Sequence, residues 1–171
     1  MLTSATEKLR VSYLGVVGSL KDKQVIDTSD YYFGFPTPGL LSPAGELQTS
    51  PMNYTFVDGD MPSLIYRLAF GTPRLRVDLV AADTKLPTDG AFSAVKSLGV
   101  IGDVPYLPRH SESTDAGVGY DVFTFSGPAL DNGSPISKGT YRILLRVLRV
   151  TGNPTKQSDY ESWLSPVFSY V

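Results

Sequence analysis

The sequence predicts an all-β fold, a sandwich of short strands with long loops. Three observations predict it. Sixteen glycines and thirteen prolines are spread through the 171 residues and punctuate short runs rich in Val, Leu, Ile, Tyr and Phe. The most regular of these runs alternates with a period of two. No long segment keeps helical spacing without an interrupting Pro or Gly.

Taken in chain order, the first strand is expected at 9–13. A proline-rich loop, 28–51, follows; it holds Pro36, Pro38, Gly39, Pro43 and Gly45. Strands are then expected at 53–57, 64–70 and 75–81. In the last of these Leu75, Val77 and Leu79 alternate with Arg74, Arg76 and Asp78. The break Gly71-Thr72-Pro73 reads as the turn of a hairpin joining 64–70 to 75–81. Residues 99–119, with prolines, glycines and the polar run Ser111–Asp115, read as a second long loop. Another strand is expected at 120–126.

The clearest strand is 141–150. Tyr141, Ile143, Leu145 and Val147 lie on one side, Arg142, Leu144, Arg146 and Leu148 on the other. Aliphatic groups on both sides, with arginine stems among them, point to a central strand covered at least partly on each face. Residues 153–159 form a polar turn. Ser158, with Asp159 and Glu161 behind it, suits the start of a short helix over 158–163. A final strand is expected at 165–171. The whole chain, 1–171, is read as one sandwich with elaborated loops at 28–51 and 99–119; six to eight short strands without a long helix imply that architecture.

Hydrophobic residues make up 42% of the chain and charged residues 19%, with a net charge of −2. That balance suits a globular protein and gives no basic excess for nucleic acid or an anionic membrane. There is no cysteine, so disulfides, thiolate metal sites and cysteine nucleophiles are excluded. No apolar run is long enough to span a bilayer, so no membrane insertion is expected. Residues 1–7 lack the pattern of a signal peptide. Two sequons, at Asn53 (Asn53-Tyr54-Thr55) and Asn132 (Asn132-Gly133-Ser134), are glycosylation candidates; Asn153-Pro154-Thr155 is disqualified by its proline.

The chain offers little for catalysis. Its one histidine, His110, sits among turn residues and reads as an exposed loop histidine. A serine hydrolase would need a nucleophile in a strained turn such as G-x-S-x-G, and that motif is absent. Asp58-Gly59-Asp60 is the one tight acidic cluster, lacks calcium-loop spacing, and reads as a turn. The acidic residues single out no facing pair for glycoside hydrolysis. No catalytic residue, metal site or cofactor is therefore assigned. The aromatics Tyr31, Tyr32, Phe33 and Phe35 are candidates for a binding surface, for sugar or peptide; the alternative is that they pack over an open end of the sandwich. Trp163 is read as a packing residue.

The end of the chain resembles a known family. The run Gly139-Thr140-Tyr141-Arg142 through Leu145-Arg146-Val147-Leu148-Arg149 to Gly152-Asn153-Pro154 is similar to the G-T-Y-R…L-R-A-L-R…G-D-P stretch near the C-terminus of fungal subtilisin-like serine proteases. The segment Asp159-Tyr160-Glu161-Ser162-Trp163-Leu164-Ser165-Pro166 looks like the same family's D-[YW]-E-x-[WY]-x-[ST]-P ending. Near the start, Ser12-Tyr13-Leu14-Gly15-Val16-Val17-Gly18-Ser19 resembles its P-Y-x-G-x-x-G-S segment, with Ser12 in place of proline.

The resemblance implies a fibronectin-III/immunoglobulin-like β-sandwich. It implies an accessory role: a non-catalytic C-terminal domain of a secreted protease, extracellular and part of a larger precursor, that stabilises an upstream protease domain or modulates substrate access. The parent would be a subtilisin-like endopeptidase, but its H-G-T-H and G-T-S-M signatures are absent here, so no triad residue is carried over. Tyr141 would be a structural corner tyrosine. The alternative function is an independent carbohydrate- or protein-binding sandwich module.

Overall fold

The computed structural model describes residues 2–3, 8–9, 15, 18–29, 33–87, 89–125 and 127–171. Its strands are β1 (Leu2–Thr3), β2 (Lys8–Leu9), β3 (Gly39–Leu41), β4 (Met52–Tyr54), β5 (Ser63–Tyr66), β6 (Thr72–Ala81), β7 (Ser97–Leu107), β8 (Asp121–Thr124), β9 (Gly139–Leu148), β10 (Tyr160–Leu164) and β11 (Phe168–Tyr170). The fold is all-β and sandwich-like. A six-stranded sheet runs β4-β11-β9-β6-β7, with β10 also paired to β9; a three-stranded sheet runs β3-β5-β8. β1 and β2 form a separate two-stranded ribbon. Of the strand expected at 9–13, Leu9 falls in β2, and 10–13 lie outside the described residues.

β9 is central, as its two apolar sides demand. It pairs with β6 along one edge and with β11 and then β10 along the other. Ile143, Leu145 and Val147 enter the main core, where they meet Leu75, Val77 and Leu79 of β6 and Leu40, Leu64 and Tyr66 of the small sheet. Tyr54, Phe56, Phe125 and Phe168 close one end of that core, with Phe56 and Phe125 edge to face at 5.3 Å. On the opposite side Leu144 packs with Val80 and Val95 in a smaller cluster.

Three expectations are corrected. The segments at 64–70 and 75–81 do not form a hairpin: β5 belongs to the small sheet and β6 to the large one. The crossing between the sheets runs through 67–71, Thr72 and Pro73 already belong to β6, and a side chain at Gly71 would press on the Leu107 carbonyl, 3.3 Å away.

The region 99–119 is not all loop; its first half lies in β7, the longest strand. β7 is an edge, so Pro105 removes no needed ladder bond. Its pairing with β6 shifts twice, leaving Ile101 and Leu98 as extra residues. Gly99 and Gly102 make room for Leu130 and Phe123, whose side chains would lie 2.2 and 2.8 Å from a Cβ at those positions. Glycines and a proline that look like loop punctuation are thus a bulged edge strand with another layer pressed against it.

The helix expected at 158–163 is instead a single 3₁₀ turn, Gln157–Asp159, leading into β10. Tyr160 to Leu164 pair residue by residue with Leu148 to Leu144. Glu161 serves long-range structure rather than a helix first turn: its carboxylate accepts the backbone N–H groups of Val25 and Ile26 at 2.8 Å.

Candidate functional site

The one histidine is buried, 8% exposed, which overturns the reading of an exposed loop residue. His110 Nδ1 accepts the Leu68 N–H at 2.8 Å, and its own backbone N–H donates to the Leu68 carbonyl at 3.0 Å. Nε2 lies 3.2 Å from Asp121 Oδ2, which also accepts the Tyr66 hydroxyl at 3.1 Å. The imidazole thus supplies the acceptor that the strand-end amide of Leu68 needs. Nothing local in the sequence reveals this, because the partner is 42 residues away.

This geometry fixes the tautomer. An acceptor at Nδ1 places the proton on Nε2, facing Asp121. Both ring nitrogens are committed, and no lone pair remains to activate a nucleophile. The Ser111 hydroxyl turns to its own loop, accepting the Ser113 N–H. Burial pushes the His110 pKa down, against an opposing pull from Asp121 and with a smaller downward push from Arg67.

Arg67 fastens the adjoining loop. Nε donates to Asp27 at 2.9 Å, and Nη1 reaches the Ser111 and Gly119 carbonyls at 2.6 and 2.7 Å. Hydrogen bonding to Ser29 and Arg67 outweighs desolvation and holds the Asp27 carboxyl below its usual range. The cluster is therefore a clamp that ties loop 110–119 to the segment following β5. Among the described residues no group of three His, Cys, Asp or Glu side chains could hold a metal ion. Asp58 and Gly59 form a turn, with φ of 50° and 84°, and Asp60 accepts the Thr55 N–H and hydroxyl.

The surface candidate lies where β7 ends. A groove of 390 Å³ is lined by apolar groups that include Phe70, Pro73, Tyr106, Leu107, Pro108 and Val150. Tyr106 is 83% exposed and has φ of 54°. A left-handed tyrosine costs about 1–3 kcal/mol, so the backbone holds an aromatic ring out to solvent at the mouth of the groove. Val104, two residues earlier, is exposed as well.

The aromatic cluster proposed from sequence is only partly described; Tyr31 and Tyr32 lie outside the described residues. Phe33 and Phe35 are half-buried and stacked on each other at 5.5 Å, and Phe33 meets Tyr120 edge-on at 5.1 Å. Tyr141 donates its hydroxyl to the Ser137 carbonyl at 2.7 Å, tying the entry to β9. Trp163 is half-buried on β10 and lines clefts of 530 and 440 Å³ on either side. Asn53 is exposed on β4, and Asn132 is exposed in a turn where its Oδ1 accepts the Ser134 N–H at 3.0 Å.

Sequence reading missed a buried charge network on the outer face of the large sheet. Asp78 and Arg146, 0% and 1% exposed, pair at 2.5 Å. Arg76 Nε donates to Asp78 at 3.0 Å, and the Ser97 hydroxyl donates at 2.7 Å. Phe92 lies flat against Arg146, with 3.6 Å between the guanidinium carbon and the ring centre. Arg74 holds Asp103 through two hydrogen bonds and keeps that carboxyl below its usual range. The signal was present as alternation: Arg74, Arg76 and Asp78 occupy one side of β6, and Arg146 sits on the non-core side of β9.

Comparison with protein-family models and with curated proteins finds no match.

Proposed function

We propose that this chain is a non-catalytic accessory module of a secreted, subtilisin-like serine protease, docked beside the catalytic domain of its parent. The observation that carries the reading is the apolar groove at the end of β7, with Tyr106 held outward in strained backbone. A large exposed aromatic beside an apolar groove is the kind of surface another domain covers. The satisfied state of His110 supports a non-catalytic role, since its ring has no free acceptor. The terminal sequence resemblance supports the identity of the parent. Extracellular location belongs to the same proposal, with Asn53 and Asn132 both exposed enough to accept a glycan.

Calorimetric titration of the chain into the separately produced catalytic domain tests this. Saturable binding that weakens at least tenfold in Tyr106→Ala supports the reading. Binding that Tyr106→Ala leaves unchanged, or peptide hydrolysis by the isolated chain, refutes it.

A further inference from the structure

The outer face of the large sheet carries a further cavity, of 370 Å³, between β6, β9 and the segment that leads into β7. Three cationic side chains line it: Arg76, Lys96 and Arg146; Ser93 and Ser97 add hydroxyls. Arg76 and Arg146 stand directly opposite each other on neighbouring strands. Like charges so placed repel unless a counter-charge lies between them. Asp78 supplies one, and it is fully buried beneath both. The next carboxylate, Asp103, is taken by Arg74 and lies 3.9 Å from Arg76. Among the described residues Lys96 is exposed and makes no ion pair, and Ser93 is exposed as well.

The cavity therefore has three positive groups, with Asp78 buried against two of them and Asp103 shared between Arg76 and Arg74. Its floor is rigid. Arg146 is held by Asp78, by the Phe92 carbonyl at 3.2 Å and by the Phe92 ring, so its charge cannot swing away. Burial lowers the Arg146 pKa even with Asp78 in contact, and Arg76 lowers it further. A guanidinium in that position is short of negative charge, and an added anion would relieve it.

We propose that this cavity is an oxyanion-binding site, in which Lys96, Arg76 and the Ser93 hydroxyl hold a carboxylate or phosphate group within the field of the buried Arg146 guanidinium. The site lies on the outer face of the large sheet, formed by residues other than those that line the Tyr106 groove, and it stands or falls separately from the docking proposal.

The test follows backbone amide resonances of the isotope-labelled chain during titration with inorganic phosphate and, separately, with acetate, at constant ionic strength set by chloride. Saturable shifts centred on Ser93, Lys96 and Ser97 are expected. A response to phosphate alone identifies a tetrahedral oxyanion; a response to acetate as well identifies a carboxylate-type ligand. Lys96→Gln changes only an exposed side chain and should weaken binding about tenfold; Ser93→Ala should weaken it less. Absence of saturable shifts with either anion, or titration of the Lys96→Gln/Ser93→Ala double variant like the wild type, overturns the proposal.

Discussion

Removal of Asp78 tests the buried charge network most severely. Among the described residues Asp78 is the only carboxylate hydrogen-bonded to the Arg146 guanidinium, and it also accepts from Arg76 and Ser97. Asp78→Asn preserves shape but leaves two guanidiniums facing each other, one of them 1% exposed. Breaking a buried pair by removing one partner costs about 3–5 kcal/mol, because the remaining charge is stranded. Arg146→Met should sit at or below the low end, about 3 kcal/mol, since Asp78 keeps Arg76 and Ser97 as partners and the methionine stem fills part of the arginine's space. The expected order is therefore Asp78→Asn worse than Arg146→Met. Urea unfolding read by the fluorescence of the single tryptophan, Trp163, gives both values. For a chain of this length each kcal/mol should move the thermal midpoint by about 2–4 °C. A loss under about 1 kcal/mol for Asp78→Asn, or the reverse order, would refute the assignment of the network as a buried, mutually dependent set.

Other perturbations test neighbouring parts of the account. Leu145→Ala, at a fully buried position of the central strand, should cost about 2–5 kcal/mol in the same urea assay. Gly152→Ala should cost about 1–3 kcal/mol, because its new Cβ would meet the Arg149 and Asp159 carbonyls at 3.0 Å. Tyr106→Ala should leave the stability of the isolated chain within about 0.5 kcal/mol, since the ring is in solvent. His110 titrates below its unfolded value, so the unfolded chain binds more protons between the two pKa values. Its contribution is fully present above about pH 6.5 and is lost as pH falls through the folded pKa. Replacement by Gln should flatten the dependence of unfolding free energy on pH over that window; an unchanged slope would show that another group carries it.

The central architecture was legible in the sequence because one physical signal dominated there. The two-sided alternation from Tyr141 to Leu148 predicted a covered central strand, and β9 is that strand. β4, β8 and β11 lie within or beside the runs expected for them. Illegible elements were those whose reason lies in a distant partner. Gly99, Gly102 and Pro105 mark turns by local chemistry, yet they belong to β7 because Leu130 and Phe123 press against it and an edge tolerates proline. The helix start at Ser158 lost to five residue pairs in the ladder between β9 and β10. His110 looked exposed among turn residues, whereas Leu68, after β5, and Asp121, at the start of β8, draw it inward. The groove beside Tyr106 was equally hidden, since positive φ at a tyrosine has no sequence signature. The arginine and aspartate alternation of β6 was visible, but only the register of β6 with β9 brings Arg76 and Arg146 together over Asp78.

The docking claim meets its most direct test in amide hydrogen exchange, measured on the isolated chain and on the full-length parent protein under identical conditions. The amides of Thr72, Tyr106 and Leu107, which border the groove, should exchange more slowly in the parent, while those of the opposite edge strand β4 stay unchanged. Equal exchange at the groove in both proteins would contradict docking through this surface.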